Sequence, residues 1–188
     1  MSFCQFSRNE ALNGACSQKG AAFEGDDIPY MMSIPEMAFV KLEVEESIHY
    51  EMAEAEGESD WLYSSPRGAG AFRYGPDHRS AFSAMTHQMH CVQGFGRQLV
   101  SSIANDDDWT HLTHCLNYMR QMILCQADLT LEPGDFSTRN FTEDRGGATY
   151  VCQDWNAVYE TLQANWLEWY KYRYNHNMSH IREPDYLP

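Results

Sequence analysis

A chain of 188 residues has the length of one domain and enough of it to bury a core without cross-links. Its 13 Lys and Arg against 27 Asp and Glu leave a net charge of −14, which argues against nucleic acid or an anionic membrane surface as partner. A hydrophobic share of 43% argues against global disorder, and no apolar run is long enough to span a bilayer.

Residues 1–35 read as an N-terminal arm, polar and rich in Gly and Asn over most of its length, with Cys4 and Cys16 either tethers or free thiols. Met1-Ser2-Phe3-Cys4-Gln5 has neither the basic start nor the apolar stretch of a secretory signal, so the sequence leaves the compartment open. Residues 36–188 read as a single domain. The alternation over Phe39–Val44 predicts a strand, followed by an acidic segment. Residues 57–80, with Gly57, Pro66, Gly68, Gly70, Gly75 and Pro76, predict loops and turns with at most short strands. Met85, Met89, Val92 and Leu99 predict a helix from Ala81 to Ala104, weakened by Gly94 and Gly96. Asn105-Asp106-Asp107-Asp108 predicts a loop and helix cap. A second helix follows over Trp109–Leu129, with Leu112, Leu116, Met119, Ile123 and Leu124 as its buried stripe and Glu132-Pro133-Gly134-Asp135 as its stop. After a loop at Gly146-Gly147, a last helix over Asp154–Tyr174 carries Trp155, Tyr159, Trp166, Trp169 and Tyr170 as core packing. The expected fold is mainly α. It is a helical bundle in which the two middle helices and the aromatic helix pack together, with short strands or loops from residues 36–80 over one side.

The chemistry concentrates in two matching segments, His87-Gln88-Met89-His90-Cys91 and His111-Leu112-Thr113-His114-Cys115. Histidines at i and i+3 on a helix share one face, so both rings can point at one ion. The spacing recurs 24 residues later with Cys following each time, which points to one shared metal site rather than two structural pairs. Imidazole donors suit copper, zinc or nickel, and copper binds tightest among them. Cys91 and Cys115 sit about 100° round the helix from the preceding His, which makes them poor co-ligands and better disulfide or packing residues. If helix one ran straight to Ala104 and turned back at once, the pairs would miss each other by about 9 residues, or about 14 Å. Three ways out remain: a linker running back along helix one, a break at Gly94-Gly96, or a site shared by two chains, for which a homodimer is a candidate.

These residues resemble the fungal UstYa-like family, whose mark is a doubled His-x-x-His-Cys. The likeness extends through His111-Leu112-Thr113-His114-Cys115-Leu116-Asn117-Tyr118-Met119-Arg120-Gln121, on to Cys125-Gln126-Ala127-Asp128 and Thr130-Leu131-Glu132-Pro133. Thr149-Tyr150-Val151-Cys152-Gln153-Asp154-Trp155 is similar to the family's closing Cys-Arg-Asp-Trp segment, and Val44–Tyr50 and Trp61 also look like the family. The resemblance spans about residues 40–170. It implies an oxidative enzyme of secondary metabolism that uses copper, with dioxygen as co-substrate, on a peptide or small natural product. The reactions of relatives are oxidative cyclisation, hydroxylation, desaturation and halogenation. The implied metal ligands are His87, His90, His111 and His114. Tyr150 stands where the family often has His, and so becomes a candidate catalytic phenol; Gln153 stands where Arg is common. His49 is a candidate base or fifth ligand, with a structural role as the alternative. Cys125 and Cys152 follow the family pattern and could pair. Many members begin with a membrane-spanning helix and work in the secretory lumen; no such helix is legible here.

The residues alone also admit a zinc hydrolase or a non-enzymatic, metal-stabilised binding domain. His78, His176 and His180 read as solvent-facing. Arg120 points away from the metal, toward a salt bridge with Asp128 or Asp154 or toward a substrate carboxylate. Asn140-Phe141-Thr142 is a glycosylation triplet that matters only in a secreted chain.

Overall fold

The computed structural model describes residues 23–178 except 26, 30, 35–36, 48, 52–54, 102–104, 133–136 and 141. Cys4, Cys16, His180 and the expected Pro133-Gly134 stop lie outside the described residues. The elements run β1 (Phe39–Glu45), α1 (Ala55–Tyr63), a 3-10 turn (Arg67–Gly70), β2 (Ala71–Tyr74), β3 (Arg79–Phe82), α2 (Ala84–Val100), α3 (Asp106–Gln126), β4 (Gly146–Gln153) and α4 (Trp155–Asn175). The chain is mainly helical, with two small antiparallel sheets among the described residues. No helix among them is long and apolar enough to cross a membrane.

The expected strand at 39–44 forms, and its partner is β4, with Val40 opposite Cys152 and Leu42 opposite Tyr150. The sequence reads β4 only as loop and closing segment. Yet Ala148, Tyr150 and Cys152 turn inward while Thr149, Val151 and Gln153 stay exposed, the period-2 signature of a half-buried strand. Helix α1 is also unexpected. Its end is held by Gln93 of α2, whose side-chain amide donates to Trp61 O at 2.6 Å and Ser65 Oγ at 2.8 Å.

Residues 81–82, expected in the first motif helix, belong instead to β3, where they pair with Ala71 and Phe72. Helix α2 starts later because Ser83 caps it, accepting from Thr86 N at 3.1 Å. It runs unbroken through Gly94 and Gly96. A glycine inside a helix costs about 1 kcal/mol relative to alanine, so each needs a reason. Gly96 is buried. Gly94 has no packing reason: a Cβ built there meets no other atom within 4 Å.

The second motif helix, α3, begins with Asn105 accepting from Asp108 N at 3.0 Å, as the acidic cap predicts. It ends at Gln126, before the expected Leu129, because Ala127 turns left-handed at φ 43°. The expected buried stripe is corrected. Leu116, Ile123 and Leu124 are 56%, 65% and 66% exposed, while Cys115 lies on the contact line at 2%. One neighbouring helix covers one narrow face; the cysteine falls on it, Leu112 and Met119 are half-buried, and the other three lie outside it.

Asp154 caps α4, accepting from Asn156 N at 3.0 Å. Trp169 is buried and takes the Arg73 guanidinium over its ring at 4.6 Å, which bears out core packing for that residue; Tyr170 is exposed. The expected packing of α4 on the motif helices runs mainly through an intermediary. The main contacts of α4 are with β2 and the 3-10 turn, and that turn in turn touches α2. Asn165 fastens α4 to β2 in both directions, accepting from Arg73 N and donating to Arg73 O, each at 2.7 Å. The turn approaches both helices so closely that its glycines cannot be replaced freely. A Cβ on Gly68 would come within 2.3 Å of Trp166, and one on Gly70 within 2.7 Å of Thr86. Both glycines also hold positive φ, 70° and 75°, a region that disfavours side chains.

Candidate metal centre

On each motif helix the His pair and the Cys divide the labour. Cys91 and Cys115 are 0% and 2% exposed and touch each other across the seam between α2 and α3. Burial, then the bond to Cys115, pushes the Cys91 thiol up to about 12, so it stays protonated at neutral pH and is no thiolate ligand. This contact sets the register of the two helices. It brings His87 opposite His114 and His90 opposite His111, with ring centres 5.5 and 5.2 Å apart.

The approach is tightest at His90 and His111, whose Nε2 atoms stand 3.2 Å apart. A hydrogen bond between neutral imidazoles has this length. So do two ligands of one ion: nitrogens at 2.0–2.1 Å in tetrahedral geometry lie about 3.3 Å from each other. His87 and His90 are 6.4 Å apart, ring centre to ring centre, along α2. Among the described residues, no three His, Cys, Asp or Glu side chains already converge on a single ion position. One pair, His90 and His111, thus stands at the spacing of two ligands of one ion, and the pair His87 and His114 lies beside it.

The height problem posed by the sequence has a simple resolution. Helix α2 ends at Val100, ten residues after His90, and α3 starts at Asp106, five before His111. The mismatch shrinks to about 5 residues, or about 7.5 Å, for the connection to absorb. No break at Gly94-Gly96 is needed, and the two pairs face each other within one chain.

Burial first, then the neighbouring rings, lowers the pKa of His87 and of His90; Arg97 adds to the effect at His90. Both are thereby held in the neutral form that binds metal. Tyr118 was not among the sequence candidates. Its ring lies 4.1 Å from that of His87 and 6.4 Å from that of His114, and its side chain hydrogen-bonds Gln88. The available signal was spacing: Tyr118 is four residues after His114 and so shares its face.

The other candidates stand elsewhere. The Tyr150 hydroxyl on β4 donates to Glu132 at 2.5 Å, and that bond pushes its pKa up to about 12. His49 Nδ1 lies 3.2 Å from Asp60 Oδ2 in an exposed pair. Neither touches the four imidazoles. Among the described residues Arg120 forms no salt bridge with Asp128 or Asp154; Asp154 caps α4 and Asp128 accepts from Thr130 N at 2.8 Å. His78 is not solvent-facing: its ring packs against Tyr172 at 4.0 Å and Trp169 at 5.2 Å. His176 is exposed, as expected, with its ring stacked on Tyr172.

Cys125 and Cys152 are free thiols, so the implied pairing is not formed. Because Cys125 is exposed, it should react with a thiol reagent in the native state. Cys91 should not: a pKa near 12 leaves about one thiol in ten thousand ionised at pH 8. Mass mapping after native and denatured alkylation checks this, and native labelling of Cys91 ahead of Cys125 would contradict the buried arrangement.

The sequence profile described as "Mycotoxin biosynthesis protein UstYa" matches residues 54–173. Curated proteins are similar over parts of their length. The UstYa family oxidase phomYd of Diaporthe leptostromiformis is 33% identical over 104 residues, 50% of this chain and 34% of that protein. The UstYa family oxidase phomYd' of the same organism is 42% identical over 61 residues, 29% of this chain and 26% of that protein. The oxidase ustYa of Aspergillus flavus is 30% identical over 100 residues, 48% of this chain and 42% of that protein. The chain thus spans between a quarter and a half of the length of these relatives. No solved structure matches.

Proposed function

The chain belongs to the UstYa mycotoxin-biosynthesis family, and from that premise we propose that it is a copper-dependent oxidase acting with dioxygen on a peptide or small natural product. The observation that carries this reading is the approach of His90 and His111 across the seam of α2 and α3 at ligand spacing, with His87 and His114 facing each other beside them. His87, His90, His111 and His114 would hold the ion. An all-imidazole set with the cysteines buried against each other behind it favours copper over a structural zinc site, which prefers thiolates. Bound copper would supply one-electron chemistry toward dioxygen.

The chain's own residues supply placement. The Cys91–Cys115 contact fixes the register, and the caps at Ser83 and Asn105 fix where each helix begins. Tyr118 packs on His87 and limits the rotation of its ring. Tyr118→Ala should therefore weaken copper binding by about tenfold, within the range for groups that orient a ligand, while Tyr118→Phe keeps the ring contact and loses less. Equal losses in both variants would remove the packing role.

Metal analysis of purified protein, with competing copper and zinc titrations, tests the main reading. Stoichiometric copper with a paramagnetic signal of nitrogen-ligated Cu(II) is the expected result. Preferential zinc binding, or no metal with an intact fold, would sink it.

A further inference from the structure

Helix α3 has more apolar surface than its neighbour covers. Its main contact is with α2, along the line of Cys115, while Trp109, Leu116 and Ile123 on another side are all more than half exposed. These three repeat every seven residues. Leu112 and Met119 recur between them and are half-buried. Apolar residues alternately three and four apart form the seam along which two helices pair as a coiled coil.

The composition of this face is also unusual for the molecule. Histidines aside, Arg120 is the one charged residue from Trp109 to Ala127, in a chain with 13 basic and 27 acidic residues. A surface that keeps Trp, Met and Arg and sheds Lys, Glu and Asp has the make-up of a protein interface. The polar side chains on its border are already bonded to their own helix. Thr113 donates to Trp109 O at 2.9 Å, Asn117 to Thr113 O at 3.3 Å and Gln121 to Asn117 O at 3.1 Å, which lowers the cost of covering them.

Charge decides what covers the face. Asp106, Asp107 and Asp108 open α3. A second copy laid parallel would set its three aspartates beside these. Laid antiparallel, with Trp109 against Met119 of the partner subunit and Leu112 against the partner subunit's Leu116, the two acidic ends stand about 21 Å apart, beyond the screening length of about 8–10 Å. In that register Arg120 comes within about 3 Å, along the axis, of the level of Asp106 of the partner subunit. Both lie on the same flank of the seam, four residues after Leu116 and three before Trp109, and two-fold symmetry makes the pair twice.

We infer that α3 is a dimerisation helix, which pairs antiparallel with α3 of a second copy of this chain through Trp109, Leu112, Leu116 and Met119, flanked by Arg120–Asp106 ion pairs. Each large apolar residue of the seam contributes about 100 Å², so the contact buries about 1,000 Å² over both copies, the lower bound for a specific interface and in keeping with micromolar affinity. His111 and His114 lie about 140° and 160° round the helix from Leu116, outside the seam. The inference therefore does not rest on the copper reading.

Sedimentation equilibrium of the metal-free full chain, from about 1 to about 100 µM, is the test, since micromolar affinity falls inside that window. A monomer–dimer equilibrium is expected. Leu116→Glu buries two like charges per dimer and should weaken it at least tenfold. Its melting temperature, compared at a dilution where both proteins are monomers, should match the parent, and its copper affinity should stay within twofold. Arg120→Glu and Asp106→Lys should each weaken the dimer about fivefold, and Arg120→Glu/Asp106→Lys should regain most of the loss. A chain still monomeric at about 100 µM would overturn the inference and leave the face to another segment or partner. So would a dimer unmoved by Leu116→Glu, or a double charge variant no tighter than the single ones. Should Leu116→Glu fail to fold, the three charge variants decide in its place.

Discussion

Replacing either His90 or His111 by alanine should lower copper affinity by about a hundredfold or more, with the fold intact. Groups that only orient a metal ligand are worth about 10–100-fold in affinity, so a ligand itself should reach at least the upper end. The two rings stand with Nε2 atoms 3.2 Å apart, from helices joined only by a short connection. Their effects should therefore not add: once one is gone, the other cannot chelate across the seam, and the double variant should lose less than the sum of the two losses. Stability is a separate matter. His111 is exposed and His90 half-buried, so each variant should melt close to the metal-free parent, within the spread of surface changes. Isothermal titration with copper, beside a thermal melt of the metal-free protein, separates the two quantities. Unchanged copper affinity in both single variants would mean that the 3.2 Å approach is an imidazole hydrogen bond and nothing more.

The parts of this molecule that were legible in the sequence are those written in short-range chemistry. The doubled His-x-x-His-Cys places each histidine pair on one helix face because helical spacing alone brings i and i+3 together, and the two faces do meet. It separates the cysteines for the same reason, and both are buried in the seam. Asn105 ahead of three aspartates reads as a helix start, and it is one. The parts that were not legible depend on a partner far away in the chain. Strand β4 becomes visible as a strand only against β1, more than a hundred residues earlier. The start of α2 was set too early because Ala81 and Phe82 have helix-compatible side chains, and only pairing with Ala71 and Phe72 claims them for β3. Leu116, Ile123 and Leu124 show the limit of periodicity: they repeat as a buried stripe should, yet α2 covers a different face of α3. Tyr118 combines both cases. Its face was predictable, but its contact with His87 needs the register that the two cysteines set.

That register has a second anchor, at the 3-10 turn, and breaking it should have the largest effect on the fold. Gly70→Ala should destabilise the protein by about 2–6 kcal/mol. Part comes from φ of 75°, where a side chain costs about 1–3 kcal/mol. The rest comes from a Cβ driven to within 2.7 Å of the Thr86 side chain, an overpacking of about 1–3 kcal/mol. For a chain of this length, 188 residues, that lowers the melting temperature by about 4–24 °C. The consequence reaches the centre because Thr86 is buried in the first turn of α2 and is followed directly by His87. Relief of the clash must move either the turn, which carries β2 and through it α4, or the start of α2, which carries His87. The two outcomes differ in what copper reports. If the turn yields, Gly70→Ala melts early but binds copper like the parent below its transition. If α2 yields, copper affinity falls as well, and restoring room at the contact with Gly70→Ala/Thr86→Ser should recover part of both losses. Gly70→Ala melting within a degree of the parent would show that the turn does not brace α2, and that the seam alone holds His87 in place.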